Sequence, residues 1–302
     1  MPIPRLTLIS AALLLAAPRG RAQLADGAAA RAHSREPSAA TRPDTVSFAS
    51  GALTLRGIVY RPSGAGPFTA ILFNHGSGKD YSAEVAAVGP AYAAQGFVFF
   101  APSRRGQWLS SSTGHYIIDS LDAVERSGGK AARDTLLVTL MRGEQLDDVR
   151  AALAWLRRDR SVRRDRVVIA GNSFGGIVTV LASANVRGLY AALNFAGAAQ
   201  TWAGSPVLQS AMTEDATQAR IPIFFGQAEN DYDLTPSRSL SAAMTAAGKP
   251  NVLKIFPAFG RTTAEGHSFG YFGSSIWGPI VRQFIDDPTG GGTRSGSKGR
   301  SG

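Results

Sequence analysis

The sequence contains no cysteine, only four histidines and no apolar run long enough to span a bilayer. Without a thiol, the chain cannot use a cysteine nucleophile, form disulfides or bind a metal through cysteine. Its one long apolar run, residues 6–17, follows a basic start and precedes Gly20-Arg21-Ala22, a plausible cleavage site. Such a run is too short for a transmembrane helix and is typical of a secretory signal peptide. We therefore expect a signal peptide over residues 1–22, export to the periplasm or beyond, and no stable membrane span.

Acidic residues are also scarce, with 22 Asp and Glu against 32 Lys and Arg, which gives a formal net charge of +10. Residues 157–160 and 163–166 alternate arginine with aspartate near the end of a predicted helix, where the helix dipole favours cations. We interpret both clusters as a solvated surface turn. We expect no nucleic-acid partner, because no aromatic residues interleave the arginines and no nucleic-acid motif accompanies them.

Composition and periodicity divide the chain into four parts. Residues 1–22 are the expected signal peptide, 23–44 a flexible linker, 45–287 an α/β domain and 288–302 a disordered basic tail. Within the domain, a hairpin at 45–60 is followed by strands that alternate with helices. The strands are predicted at 69–73, 97–101, 167–170, 189–196, 221–225 and 252–256, and the helices at 83–95, 132–158, 177–184, 205–218, 237–247 and 276–285. This order predicts a mostly parallel, eight-stranded sheet with helices on both faces.

The stretch Gly171-Asn172-Ser173-Phe174-Gly175 lies between an apolar strand and a helix-compatible run. This is the sequence pattern of a nucleophile elbow. The glycines let strand and helix pass closely around a strained serine, and the helix N-terminus offers free amides to an oxyanion. We predict that Ser173 is a nucleophile; the alternative is a glycine-rich turn that merely contains a serine.

A serine hydroxyl needs an adjacent base, and the base needs an orienting acid. We predict that His267, in the loop after the last strand, is the base. The alternative base is His75, which is better suited to supporting its own loop by hydrogen bonds. A plain surface histidine is the alternative role for His267.

The acid is expected in the loop after the strand at 221–225, which offers Glu229, Asp231 and Asp233. Asp231 is favoured because Leu234, three residues later, can serve as a buried anchor. Asp233 and Glu229 remain alternatives. A carboxylate that is not used here would cap the following helix or face solvent.

The oxyanion of a tetrahedral intermediate needs two backbone donors. The amide of Phe174, directly after the serine, is predicted as one donor. The loop His75-Gly76-Ser77-Gly78 is predicted to supply the other through the amide of Ser77.

Five separated motifs together resemble the α/β-hydrolase superfamily, and most closely its dienelactone-hydrolase-like and prolyl-oligopeptidase-like members. They are Asn74-His75-Gly76-Ser77-Gly78, Ser103-Arg104-Arg105-Gly106, Gly171-Asn172-Ser173-Phe174-Gly175-Gly176, Asn230-Asp231-Tyr232 and Gly266-His267-Ser268-Phe269-Gly270. The resemblance implies a Ser173–His267–Asp231 triad and hydrolysis of an acyl bond with no cofactor and no metal. Dienelactone hydrolase itself uses a cysteine nucleophile, so the serine here favours a general carboxylesterase.

Two further regions are candidates for substrate contact. Arg104 and Arg105 could grip an acidic substrate, although an internal ion pair that holds their loop is the simpler role. Residues 108–143 form the largest insertion and could act as a lid. In that case Tyr116, Ile117, Ile118 and Leu121 would line an acyl pocket; otherwise they pack the core.

The sequence thus predicts an exported serine esterase that acts on a small-molecule ester or peptide. A peptidase or amidase is the alternative enzyme, although no N-terminal propeller precedes the domain. A binding protein on the same fold and an anionic-surface binder driven by the positive charge are the alternatives outside enzymes. The sequence does not indicate an oligomeric state.

Overall fold

The computed structural model describes residues 42–289. The expected signal peptide, residues 23–41 of the linker and residues 290–302 of the tail lie outside the described residues. The strands are β1 (Asp44–Ser50), β2 (Leu53–Tyr60), β3 (Phe68–Asn74), β4 (Val98–Pro102), β5 (Val162–Asn172), β6 (Ala191–Phe195), β7 (Ile223–Ala228) and β8 (Asn251–Phe256). The helices are α1 (Ser82–Ala94), α2 (Ile117–Leu140), α3 (Leu146–Leu156), α4 (Phe174–Asn185), α5 (Pro206–Thr217), α6 (Thr235–Ala246), α7 (Thr263–His267), α8 (Phe269–Phe272) and α9 (Ser274–Asp286).

The eight strands form one open sheet in the order β1-β2-β4-β3-β5-β6-β7-β8. The hairpin β1–β2 and the pair β2–β4 are antiparallel, and every other pair is parallel. This architecture confirms the predicted mostly parallel α/β sheet. Because β3 and β5 are neighbours, with Asn74 opposite Gly171, the glycine loop after β3 lies beside the turn after β5.

Helices cover both faces of the sheet, and alternate residues of each buried strand face opposite sides. In β3, for example, Ala70 and Leu72 pack with α2 to α6, whereas Ile71 and Phe73 pack with α1, α8 and α9. All four side chains are fully buried. Burial on both faces explains why this strand reads as a continuous apolar run.

Two local predictions were wrong. No helix was predicted between residues 96 and 131, but α2 runs from Ile117 to Leu140, with only Gly129 in a left-handed conformation (φ 75°). An ion pair of 3.0 Å between Arg133 and Glu125 spans this break, and buried Leu121 and Leu137 anchor the two halves. A π-helical segment, Met141–Gln145, then leads into α3.

The second error concerns residues 163–166, which belong to β5 and not to a surface turn. Their side chains remain largely solvent-exposed, as predicted, and they lie at an irregularity in the pairing with β3, where Phe68 is opposite Val162 and Ala70 is opposite Val167. Arg166 lies over the ring of Tyr190 at 4.3 Å. The turn itself is restricted to residues 157–161.

Candidate active site

Ser173 lies in a tight turn between β5 and α4, in a left-handed backbone conformation (φ 58°, ψ −120°). A side chain at Gly171 would collide with the carbonyl of Gly175, and one at Gly175 would collide with the carbonyl of Asn74. The amide of Ser173 donates to the carbonyl of Phe195 in β6 at 2.9 Å. Strain of this kind persists only where the surroundings fix it, and here the two glycines and β6 do so.

His267 ends the short helix α7 and lies between the serine and an acid. Its Nε2 is 2.8 Å from Ser173 Oγ, and its Nδ1 is 2.8 Å from Asp231 Oδ1. The imidazole is 12% exposed and the Asp231 side chain is fully buried. Three side chains from three loops thus form one continuous chain of hydrogen bonds at the carboxyl edge of the sheet.

The loop after β7 presents Asp231, and not its acidic neighbours, to the imidazole. Asp231 Oδ2 accepts from Gln227 Nε2 at 2.8 Å, and Oδ1 accepts from the amide of Tyr232 at 2.6 Å. Asp233 instead accepts from the amide of Thr235 at the start of α6, and Glu229 is exposed. Leu234, expected as a buried anchor, is only half-buried. Gln227 performs that anchoring, since it also donates to the carbonyl of Asp233.

Two asparagines that sequence reasoning missed hold the segment around His267. Asn172 Nδ2 donates to the carbonyl of His267 at 3.1 Å. Asn230 Nδ2 donates to the carbonyls of Phe259 and Thr262 at 3.0 and 2.9 Å. Both asparagines belong to the motifs identified in the sequence, directly before Ser173 and Asp231, and this position is the one signal that could have indicated their role.

A capping box begins α7. Glu265 N–H donates to Thr262 Oγ1 at 3.2 Å, and the Glu265 carboxylate accepts from the Thr262 amide at 2.9 Å. Hydrogen bonds from the Arg261 amide, the Thr262 hydroxyl and the Thr262 amide to the carboxylate hold the pKa of Glu265 below its ordinary value. The local sequence thus forms a helix where only a loop was expected, and this helix carries the imidazole.

The loop His75-Gly76-Ser77-Gly78 is held through nearly all of its peptide groups. Arg104 donates to the carbonyls of His75 and Gly76, and Gln107 donates to those of Ser77 and Gly78. The Gly76 amide donates to Tyr271 Oη at 2.8 Å, and the Gly78 amide to Tyr81 Oη at 2.6 Å.

The amide of Ser77, in contrast to those of Gly76 and Gly78, has no acceptor within residues 42–289. The amide of Phe174, at the first position of α4, is also without an acceptor in the described part of the chain. A developing oxyanion requires amides that are free to donate. The two amides predicted as oxyanion donors, those of Ser77 and Phe174, therefore both lack an acceptor within residues 42–289.

His75, the alternative base, is fully buried and stacks on Tyr81 with 4.7 Å between ring centroids. Its Nε2 accepts from the Arg104 amide at 3.3 Å, and its Nδ1 lies 3.0 Å from the Gly76 carbonyl, which requires the neutral, Nδ1-protonated ring. Burial and the charge of Arg104 lower the pKa of His75 well below its ordinary value. Both ring nitrogens are used within the loop, so His75 supports the loop and is not placed as a base.

Arg104 is 3% exposed, and its guanidinium contacts no carboxylate within the described residues. It lies over the ring of Phe174 at 4.8 Å and donates to Gln107 Oε1 at 3.1 Å. Burial lowers the pKa of Arg104 to about 10, so it remains charged at neutral pH. Its bonds to the carbonyls of His75 and Gly76 favour a role in holding the glycine loop over one in gripping substrate.

Arg105 forms internal ion pairs. This is the simpler of the two roles predicted for it, the other being contact with an acidic substrate. Its guanidinium donates to Asp148 at 2.7 and 2.9 Å and to Glu144 at 3.0 Å. His115 Nε2 lies 3.1 Å from the other oxygen of Glu144. Arg105 therefore ties the loop after β4 to the π-helical segment and to α3.

Tyr116, the predicted substrate contact, donates from its hydroxyl to the carbonyl of Ser77 at 2.5 Å. Ile117 and Leu121, expected either in an acyl pocket or in the core, are 1% exposed and pack in the core. The insertion is thus joined to the glycine loop by Tyr116 and to the domain by packed helix residues.

Two absences apply to residues 42–289. No three His, Asp or Glu side chains of these residues converge as ligands for a metal ion. No helix in the same range has the length and apolarity needed to cross a bilayer.

Comparison with known proteins identifies a related sequence, related folds and a family. A curated relative, the uncharacterized peptidase YtmA of Bacillus subtilis (strain 168), is 28% identical over 156 residues, which cover 50% of this chain and 49% of the relative. The chain therefore spans about half the length of that relative.

Solved structures share the fold at low identity. Acylaminoacyl peptidase of Pyrococcus horikoshii superposes with a TM-score of 0.60 at 18% identity, over 82% of this chain and 42% of the peptidase. A putative dienelactone hydrolase of Klebsiella pneumoniae subsp. pneumoniae MGH 78578 superposes with a TM-score of 0.59 at 17% identity, over 82% of this chain and 100% of that protein.

The model of the dienelactone hydrolase family matches residues 55–273, from β2 to the start of α9. This match includes all five motifs around Ser173. The chain therefore belongs to the dienelactone hydrolase family, within the α/β-hydrolase superfamily.

Proposed function

We propose that this protein is a serine hydrolase that cleaves carboxylic esters through an acyl-enzyme, with Ser173, His267 and Asp231 as its catalytic triad. The single observation that carries the proposal is the unbroken chain of 2.8 Å contacts from Ser173 Oγ through His267 to Asp231. Family membership supports a hydrolase.

In the proposed mechanism, His267 Nε2 takes the proton of Ser173 as the hydroxyl attacks the ester carbonyl. Asp231 keeps the imidazole in the Nδ1-protonated tautomer and stabilises the imidazolium. The free amides of Ser77 and Phe174 receive the oxyanion, a contribution of about 3 kcal/mol for each donor in comparable sites. His267 then protonates the leaving alcohol, and a water molecule releases the acyl group by the same route.

The decisive experiment compares wild type and Ser173→Ala with p-nitrophenyl acetate and with a fluorophosphonate probe. We expect wild type to turn over the ester and to be labelled at Ser173, and the variant to do neither while it unfolds at the same temperature. Undiminished turnover in the alanine variant would refute the assignment. A wild-type protein that neither hydrolyses nor labels would instead indicate a binding protein on this fold.

A peptidase or amidase is the second candidate, and the names of the relatives favour it. The curated relative is called a peptidase, and one superposed structure is an acylaminoacyl peptidase. The same triad serves either bond, because the tetrahedral intermediates are alike. Parallel assays of p-nitrophenyl esters of increasing chain length and of aminoacyl p-nitroanilides decide between the two: higher kcat/KM on the anilides would favour the peptidase.

We also propose export, on the basis of the sequence pattern of residues 1–22 alone. Expression of the full chain in a bacterial host, followed by cell fractionation and N-terminal sequencing, tests this proposal. A protein that stays in the cytoplasm with its first 22 residues attached would contradict it.

A further inference from the structure

A hollow of about 410 Å³ lies at the edge of the sheet opposite to Ser173. Its walls come from the end of α3, the turn after α4 and the turn before β7, all of which precede the parallel strands β5, β6 and β7. Ser173, by contrast, follows the carboxyl end of β5. No residue of the site around Ser173 contributes to this hollow.

Four arginines line the hollow, and no acidic residue does. They are Arg150, Arg157, Arg187 and Arg220, set around an apolar floor that includes Leu153 and Val186. A second hollow of about 420 Å³ shares Arg187, Arg220 and Val186 with the first, so the two form one arginine-lined groove. The name arginine groove is used below for these two hollows.

Three of the four guanidiniums lack an internal partner. Arg150 pairs with Asp147 at 2.7 Å, in a contact whose two side chains are both largely exposed. The side chains of Arg157, Arg187 and Arg220 make no hydrogen bond or ion pair with any residue between 42 and 289. Elsewhere in the described domain, Arg61, Arg105 and Arg142 are each paired with two carboxylates.

The backbone helps to hold these like charges near one another. The carboxyl ends of α3 and α4 meet the groove, and the negative end of a helix dipole favours nearby cations. Arg157 passes over Gly188, where a side chain at position 188 would meet its terminal nitrogen at 2.5 Å. Gly188 has a φ of 87°, which suits glycine, so this turn leaves room for the guanidinium.

We propose that the arginine groove binds a small polyanion with three or four negative charges, carried on phosphate or carboxylate groups. Guanidinium groups donate in pairs to such oxygens, and three unpaired arginines provide the balancing charge. The volume falls within the range of small-molecule sites. The lining contains no aromatic side chain on which a nucleic-acid base could stack, which favours a compact anion over a single-stranded nucleic acid.

Isothermal titration calorimetry with pyrophosphate, at fixed ionic strength, tests the proposal on the full chain. We expect saturable binding by wild type with one site per chain, and at least about tenfold weaker binding by the double variant Arg157→Gln, Arg220→Gln, since charge-assisted hydrogen bonds are lost. The matched control is Arg238→Gln, an exposed arginine on α6 outside the groove, which should bind as wild type does. Thermal unfolding of both variants verifies that they fold.

Two results would overturn the proposal. One is equal affinity for pyrophosphate in wild type and in the double variant. The other is that wild type does not bind pyrophosphate but is retained on heparin or on anionic phosphatidylglycerol vesicles. That pattern describes a diffuse basic surface. Neither result bears on Ser173, so the proposed hydrolase function is tested separately.

Discussion

Asn230 and Phe259 are joined by two hydrogen bonds, from Asn230 Nδ2 to the Phe259 carbonyl at 3.0 Å and from the Phe259 amide to Asn230 Oδ1 at 2.9 Å. These bonds tie the loop after β7 to the loop after β8. The first loop carries Asp231 and the second leads to His267. The Asn230 side chain therefore fixes the two loops, and with them the distance between Asp231 and the imidazole.

Asparagine has nearly the same shape as aspartate but carries no charge, so a substitution at position 231 tests the charge of Asp231 without altering this arrangement. We predict that Asp231→Asn retains the fold and lowers kcat for p-nitrophenyl acetate by roughly three to four orders of magnitude, because the amide favours the wrong imidazole tautomer. Asp233→Asn is the matched control, since Asp233 only caps α6, and its kcat should stay within about twofold of wild type. If the two variants were equally impaired, Asp231 would not be the acid.

Arg104 is predicted to act on the reaction through the glycine loop. Arg104→Met removes the donors to the carbonyls of His75 and Gly76, so we expect a lower kcat with little change in KM. Unfolding free energy should fall by about 1–3 kcal/mol, because two buried acceptors lose a charged donor. Steady-state kinetics and urea unfolding measure the two effects.

Arg105→Met is the control for that variant, because the Arg105 side chain, which is 15% exposed, also forms internal bonds but pairs with Asp148 and Glu144. It should lose stability and retain the kcat of its folded fraction. Partial recovery of kcat in Arg104→Lys would support a role in donation to the loop. A raised KM with an unchanged kcat in Arg104→Met would instead indicate direct substrate binding.

Two buried tyrosines are predicted to behave in opposite ways. Tyr271 Oη accepts from the Gly76 amide, so Tyr271→Phe leaves a buried N–H without an acceptor and should cost about 1–3 kcal/mol of stability. The Tyr92 hydroxyl is buried without a partner in residues 42–289, so Tyr92→Phe should be neutral or stabilising. Urea unfolding of both variants checks this, and equal destabilisation would contradict it.

Stability is predicted to fall in mild acid because of His75. The folded protein keeps this ring neutral, since burial and Arg104 lower its pKa well below the ordinary value. The unfolded chain binds a proton below pH ~6.5, so unfolding free energy should decrease as pH falls from there, by up to about 1.4 kcal/mol per pH unit.

His75→Gln should flatten this pH dependence between pH 6.5 and 5, because the group that gains a proton on unfolding is gone. His115→Gln is the control, since the His115 side chain is 48% exposed. Urea unfolding at several pH values gives the comparison. An unchanged slope in His75→Gln would assign the acid sensitivity to other groups.

The sequence was most informative where chemistry depends on near neighbours in the chain. The elbow around Ser173 follows from glycines two residues away on either side, and apolar runs located the strands, except for the polar first half of β5. Strand order then placed the loops after β5, β7 and β8 at one edge. These features need no knowledge of distant contacts.

Features that depend on distant partners were missed. Tyr271 and the Gly76 amide are 195 residues apart, and nothing near either one indicates the bond. The helix α2 crosses Gly128 and Gly129 because packed residues on both sides hold it, so tertiary contacts outweigh the local preference of glycine for turns. The role of Arg104 was ambiguous from the sequence because its hydrogen-bond partners are backbone carbonyls, which every residue carries.

The hydrogen bonds to the carbonyls of the glycine loop have a consequence for substrate selectivity. A rotation of the peptide between Gly76 and Ser77 would break the bonds that Arg104 and His75 Nδ1 make to the Gly76 carbonyl, so the direction of the Ser77 amide is set before any ligand arrives. In the proposed hydrolase, this loop therefore cannot rearrange to fit acyl groups of unusual shape. The range of substrates must therefore depend on the side chains that surround Ser173, and these are the first positions to vary when changing substrate selectivity.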